Sequence, residues 1–406
     1  MMKQYQSKND FRQGYAALTT TMLVIFASLT IIGGLAFFSL QEVAVNRDYA
    51  KSIAAHYVSE SGIEDALWRV LAGKQIAASE TLGVGAGTAA MTLTVNPDGS
   101  KTIRSQGQQG NVQQNLETRI VAVGDAVSFS YGVQVDAGGV TMGNGARVNG
   151  NLFSNGSVTG GTVTGNATVA AGSGNKIANA TISGTARAPA FTNVTAGGSS
   201  CPNPSCVVAS DAPQPLPISD ALVTSWRDKA VAGGVMNGNH TVSGSEGLGP
   251  VKISGNLKIN TGAVLTVTGT IWVTGTLETN NNAVIKIDPY YGANSGIIVA
   301  DGVITFSNNT VVSGSGTAGS YLIVVGAKNA PASPVMDISN SSSGAIYYAP
   351  HGRIHLNNNA GARQISGYGF DIDNNATVTY ESGLQNVHFS SSPSAAHDVP
   401  YWKDVE

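Results

Sequence analysis

The sequence predicts a long N-terminal α-helix, transmembrane in its first half, with a small antiparallel β-sheet. A mainly β domain follows, built as a parallel β-helix or solenoid. Three observations carry this: an uncharged run at residues 15–40, apolar positions at helical spacing that extend it to residue 71, and asparagine-centred repeats in the C-terminal two-thirds.

The run YAALTTTMLVIFASLTIIGGLAFFSL holds 26 residues without a charged side chain. As a helix it reaches roughly 39 Å, more than the roughly 30 Å hydrocarbon core of a bilayer. Lys3, Lys8 and Arg12 precede it, and Glu42, Arg47 and Asp48 follow. The basic flank stays cytoplasmic, which sends the C-terminal part outside. The run is too long for a cleaved signal's apolar core, and a soluble core helix would carry a polar stripe.

Ile63, Ala66, Leu67, Val70 and Leu71 continue the helical spacing, and the first proline is Pro97. Residues 81–124 read as a small meander that packs on the helix. Met91, Leu93 and Val95 alternate up to the turn Asn96-Pro-Asp-Gly, and Leu116 lies in the returning strand. Such a sheet needs the helix to bury its apolar face.

The 406 residues leave room for two or three domains. A net charge of −3 with only 12% charged residues excludes an electrostatic footprint for nucleic acid. Fifty glycines without a strict triplet suit strands and tight turns rather than collagen.

From about Val127 the chain repeats itself. Segments 257–265, 277–285, 304–312, 336–346, 354–360 and 370–378 share one pattern, alternating apolar residues on either side of an Asn-rich corner. The irregular interval fits a parallel β-helix with loops of varying length. Asn tolerates the left-handed backbone of a sharp corner, and stacked corners let side-chain amides form ladders. Six coils at about 4.8 Å predict a rod of roughly 30 Å. Asn144, Asn155, Asn166 and Asn179 mark a tighter beat, so residues 127–186 read as the first solenoid coils. Residues 187–250 read as a loop insertion with a short helix after Ser219, and residues 251–406 as the main solenoid and its C-terminal cap. Cys201 and Cys206, five apart with no nearby His, suit a small disulfide loop outside the cytoplasm better than a metal site.

The best cluster for chemistry is His351, Arg353 and His355, at even spacing on one strand face, with Asp371 and Asp373 about one coil later. Such a set suits proton abstraction or glycoside hydrolysis, but a solvated outer face is the stronger expectation. Asp288, Asp301 and Asp337 stand isolated. No nucleophile-elbow, zincin, P-loop or EF-hand pattern occurs, so no catalytic residue, cofactor or metal is assigned. Tyr290, Tyr291, Tyr347, Tyr348 and Tyr368 are candidates for an aromatic stripe that stacks against sugars. The candidate ligand-binding residues are therefore His351, Arg353, His355, Tyr347 and Tyr348.

The leader MMKQYQSKNDFRQG ends in Gly14 directly before Tyr15 and the apolar run. This arrangement resembles the processing site of type IV prepilins. Residues 55–67, AHYVSESGIEDAL, resemble the corresponding stretch of PilX-type minor pilins, so the likeness covers roughly residues 14–71. It implies a cleaved leader at residues 1–14, a mature chain starting at a methylated Tyr15, and a pilin helix at residues 15–71. Thr19 stands where most pilins carry an assembly Glu, which points to a minor or tip subunit. Residues 380–386 and 401–406 resemble the closing segment of PilX-like proteins with a solenoid ectodomain, and Tyr401 and Trp402 are expected to cap the last coil. The implied partners are other pilins, prepilin peptidase, the pilus assembly machinery, membrane lipid before assembly and surface polysaccharide. The implied location is the cytoplasmic membrane, single-pass with the C-terminal domain outside, and then the pilus surface. A membrane-anchored polysaccharide lyase or hydrolase and a tethered bactofilin-like polymer are the alternatives.

Overall fold

The computed structural model describes residues 7–71, 76–96, 100–122, 124–392, 397–399 and 401–405. Helix α1, Ser7–Leu71, is continuous for 65 residues and so begins before Gly14 rather than at Tyr15. Between Ala17 and Ala50 nearly every residue is exposed. From Ala55 onward it packs through Val58, Ser59, Gly62, Ile63, Ala66 and Val70, one stripe at helical spacing.

Strands β1 (Ser79–Val84), β2 (Gly87–Val95), β3 (Lys101–Gln109) and β4 (Val112–Ala122) form an antiparallel meander over that stripe. Met91, Ile103, Leu116 and Ile120 meet Ile63, Ala66 and Val70 in one apolar cluster. Gly107 sets the closest approach, because a Cβ there would stand 2.2 Å from the Ala55 carbonyl oxygen. Ser59 Oγ donates to the Ser105 carbonyl at 2.6 Å beside it. Pro97, Asp98 and Gly99 of the expected hairpin turn lie outside the described residues, but Val95 pairs with Lys101 on either side of it. This head sheet begins at Ser79, two residues before the expected start of the meander.

The C-terminal segment does not cap the solenoid. Strands His397–Asp398 and Trp402–Asp404 both return to β4, with Trp402 opposite Thr118. Glu117 anchors the return: Lys403 Nζ lies 2.9 Å from it and Arg104 Nε 2.5 Å. These cations hold its carboxyl below the usual carboxylate range, the Lys403 hydrogen bond contributing most. Strand β5, Asp125–Val127, pairs antiparallel with Val387–Phe389. The chain therefore leaves the head and comes back along two adjacent strands, and the whole solenoid is an insertion between them.

That insertion is a stack of parallel coils wound in an unexpected order. The chain enters in the middle through β6, Val133–Asn149, and winds toward Cys201 and Cys206. It then crosses back along the stack through α2, Asp220–Ala232, and winds from Val235 to Thr379 until it meets β6 again. Residues 187–208 and 235–250 are thus coils rather than loop. One interior column shows the order: Val251, Ile271, Ile298, Val324, Tyr347, Ile365, Val133, Leu152, Ala167, Ala186 and Cys206 are successive register partners. Ten steps at about 4.8 Å give a stack roughly 48 Å tall, longer than the six coils expected from the repeats. Side chains shrink toward the cysteines, which accounts for the narrower coils there.

The corners obey the expected chemistry. Asn282, Asn308, Asn309, Asn340, Asn358, Asn359, Asn374 and Asn375 all have positive φ, near +50° to +63°. Their amides form a ladder: Asn340 Nδ2 donates to Asn308 Oδ1 at 2.9 Å, Asn358 to Asn340 at 3.1 Å and Asn374 to Asn358 at 3.0 Å. Backbone donors at these corners reach carbonyls of the neighbouring coil, Asn309 N–H to Asn340 at 2.8 Å and Asn359 N–H to Asn374 at 3.0 Å.

Candidate functional site

Two surfaces stand out, the uncovered half of α1 and the outer face of the solenoid near β6. On α1, the most apolar 18-residue window has a mean hydropathy of 2.3 and none of it is buried. Leu23, Phe26, Phe38 and Leu40 are each 64–71% exposed. Thirteen large apolar side chains between Leu18 and Leu40 are open to solvent. At roughly 1.5–3 kcal/mol each, covering them is worth about 20–40 kcal/mol, more than the stability of a typical domain. Thr19 lies on this exposed stretch. Gly14 and Tyr15 sit within α1, and the Tyr15 side chain lies outside the described residues.

On the solenoid, the expected cluster is divided among separate ion pairs. His351 Nε2 lies 3.0 Å from Asp220 Oδ1, at the start of α2. Arg353 forks onto Asp371, with Nε donating at 2.7 Å and Nη2 at 2.5 Å, while Nη1 donates to the Gly138 carbonyl at 2.9 Å. Both Asp371 oxygens are occupied, so this carboxylate is not a free base. His355 sits between Asp337 and Asp373, 3.2 Å from one and 3.7 Å from the other. The Asp337 hydrogen bond outweighs burial and raises the His355 pKa.

Tyr347 and Tyr348 do not form a sugar-facing stripe, because both are fully buried. Alternation turns Tyr347 into the coil interior against Phe306. Tyr348 points outward but lies beneath the segment leading into α2, where its hydroxyl donates to the Ile218 carbonyl. Burial raises both phenol pKa values. Tyr291 is buried as well, whereas Tyr290 is 49% exposed.

The outer cover is a second apolar cluster joining Val223 and Trp226 of α2, Val127, Phe129 and Phe389 at the junction, and Ile297, Val299, Ile323 and Val325 of the sheet. Trp226 Nε1 donates to Asp125 Oδ2 at 2.7 Å, and Lys229 Nζ reaches the same oxygen at 2.8 Å. Trp272 donates to Asp301 at 2.8 Å and carries Lys252 4.2 Å above its ring. Arg227 of α2 pairs with the same Asp301, so Trp226, Arg227 and Lys229 together fix the helix across several coils.

Cys201 and Cys206 are joined in a disulfide. Among the described residues, no group of three or more His, Cys, Asp or Glu side chains is placed to hold a metal ion. A cleft unforeseen in the sequence is lined by Tyr131, Thr168, Arg187, Asp211 and Gln214. Its Arg187–Asp211 fork, at 3.0 and 3.1 Å, joins strands 24 residues apart in sequence. The Asp337–His355 contact was legible in principle. Asn340 and Asn358 stack 18 residues apart, and the same offset carries Asp337 onto His355.

No family model matches the chain, and no curated protein matches it. Among solved structures it is similar to the competence-associated pilin ComZ from Thermus thermophilus, at 11% identity and a TM-score of 0.28, over 87% of this chain and 97% of that one.

Proposed function

We propose that the chain is a minor subunit of a type IV pilus or related filament, made as a single-pass membrane precursor and cleaved behind Gly14. The observation that carries this reading is α1, apolar and uncovered over its first half and locked to the head sheet over its second. Lipid covers the exposed half first, and helices of neighbouring pilins cover it after extraction. Thr19, in place of an acidic residue, removes a carboxylate that would otherwise need a partner among packed helices. The solenoid works by display and adhesion. A stack inserted through paired strands into the head holds its outer face at a fixed distance from the filament, and the Tyr131–Asp211 cleft offers a polar and aromatic surface for polysaccharide.

Prepilin peptidase and the pilus assembly machinery are then the chain's partners. Gly14→Val blocks the cut, because a branched side chain does not fit a site built for glycine. The variant is expected to accumulate in the membrane fraction and to be missing from filaments sheared off cells that carry the native chain. Equal recovery of both forms in the sheared fraction overturns the proposal.

A further inference from the structure

The Val235 end of the solenoid departs from the columns it terminates. His240 is the register partner of Leu257, which is followed up the stack by Leu277 and Ile304. Glu246 is the partner of Leu265, followed by Ile285 and Val312. All but one of those six apolar residues are fully buried, and Val312 is 3% exposed. The final coil therefore turns two charge-bearing side chains into columns that are otherwise aliphatic. They meet although they sit on strands of different sheets: His240 Nε2 lies 3.0 Å from Glu246 Oε1. Their neighbours Val242 and Leu248 keep the apolar pattern and are buried.

The opposite end is closed differently. There the disulfide loop folds over the last coil: the Cys201 amide donates to the Val194 carbonyl at 2.8 Å, and Asn203 Nδ2 donates to the Ala196 carbonyl at 3.1 Å. Both cysteines pack against the interior cluster. At the Val235 end, strands Val235–Asn237, His240–Val242 and Ser245–Leu248 each pair on one side only among the described residues, and the inward Met236 stays partly exposed.

An open solenoid end offers unpaired strand edges and a flat apolar floor, and its natural partner is the same end of a second copy. We propose that the inward-pointing His240–Glu246 pair is the stop that keeps this end from pairing with the Val235 end of another copy. Stacking a second coil on it would strip water from both groups without adding a partner for either. The stop is independent of how the N-terminal helix is processed or assembled.

The test compares the full chain with His240→Leu/Glu246→Leu by sedimentation velocity in one detergent over a wide concentration range. The native chain is expected to stay a single species, and the double variant to form a dimer at least about tenfold more tightly. A double variant with native circular dichroism and thermal unfolding that sediments like the native chain overturns the proposal. Should that variant fail to fold, the chain carrying Val235→Cys alone decides. With the pair intact, oxidant is expected to give no dimer linked through residue 235, and such a dimer overturns the proposal.

Discussion

The winding order makes a prediction that a sequentially wound solenoid does not share. Asn149, at the end of β6, is the register partner of Thr379, and the two side chains approach to 3.5 Å although 230 residues separate them. Adjacent parallel strands stand about 4.8 Å apart, within the Cα separation a disulfide spans. Asn149→Cys with Thr379→Cys should therefore cross-link within one chain under mild oxidation. Closing a loop of that length removes unfolded-state entropy worth about 5 kcal/mol at most. Parallel neighbours hold their Cβ atoms slightly too far apart for a relaxed bridge, so about half of that should survive as stability. The expected rise in Tm is about 3–5 °C over the native chain, read by differential scanning calorimetry without reductant. Peptide mapping of the unreduced digest identifies the bond. Failure to form it, or a mixed population linked between chains, refutes the interleaved stack.

Two further outcomes follow from buried groups. Tyr347 carries a hydroxyl with no hydrogen-bond partner among the described residues, so Tyr347→Phe should raise stability by about 1 kcal/mol and Tm by about 1–2 °C, and a lowered Tm would show that the hydroxyl has a partner. Because the His355 pKa is raised in the folded state, its contribution is full below about pH 6.5 and disappears as pH rises through the folded value. The Tm should accordingly fall between mildly acidic and mildly alkaline pH, and His355→Asn should remove that part of the slope; an unchanged slope in the variant would show that the Asp337–His355–Asp373 bridge contributes nothing.

Much of the fold was written in local patterns. The uncharged run, the helical stripe ending near Val70 and the asparagine corners are signals a few residues wide, and each reports a backbone state that local chemistry dictates. Winding order is different. Each coil has the same alternation, so nothing within residues 127–186 says that Val133 stacks on Ile365 and not on a later coil. That pairing depends on which coils match in width, a property of the assembled stack. The fate of Tyr347 and Tyr348 was more accessible. They lie in Ala345-Ile-Tyr-Tyr-Ala349, an unbroken apolar stretch like Gly296–Ala300 and Leu322–Gly326, and strands without alternation are buried on both faces. A covering element was therefore required, and α2 supplies it. The return of residues 397–398 and 402–404 to β4 had no local signature, because a short strand that pairs about 280 residues back leaves no periodic trace.

The central claim is that one apolar helix serves first in lipid and then in a filament. Mass spectrometry of the N-terminal peptide, from the chain recovered in sheared filaments, tests it most directly. The account predicts a first residue of Tyr15, carrying one methyl group on its amine. An intact Met1 in that fraction, or a chain confined to the membrane in every fraction, would contradict it.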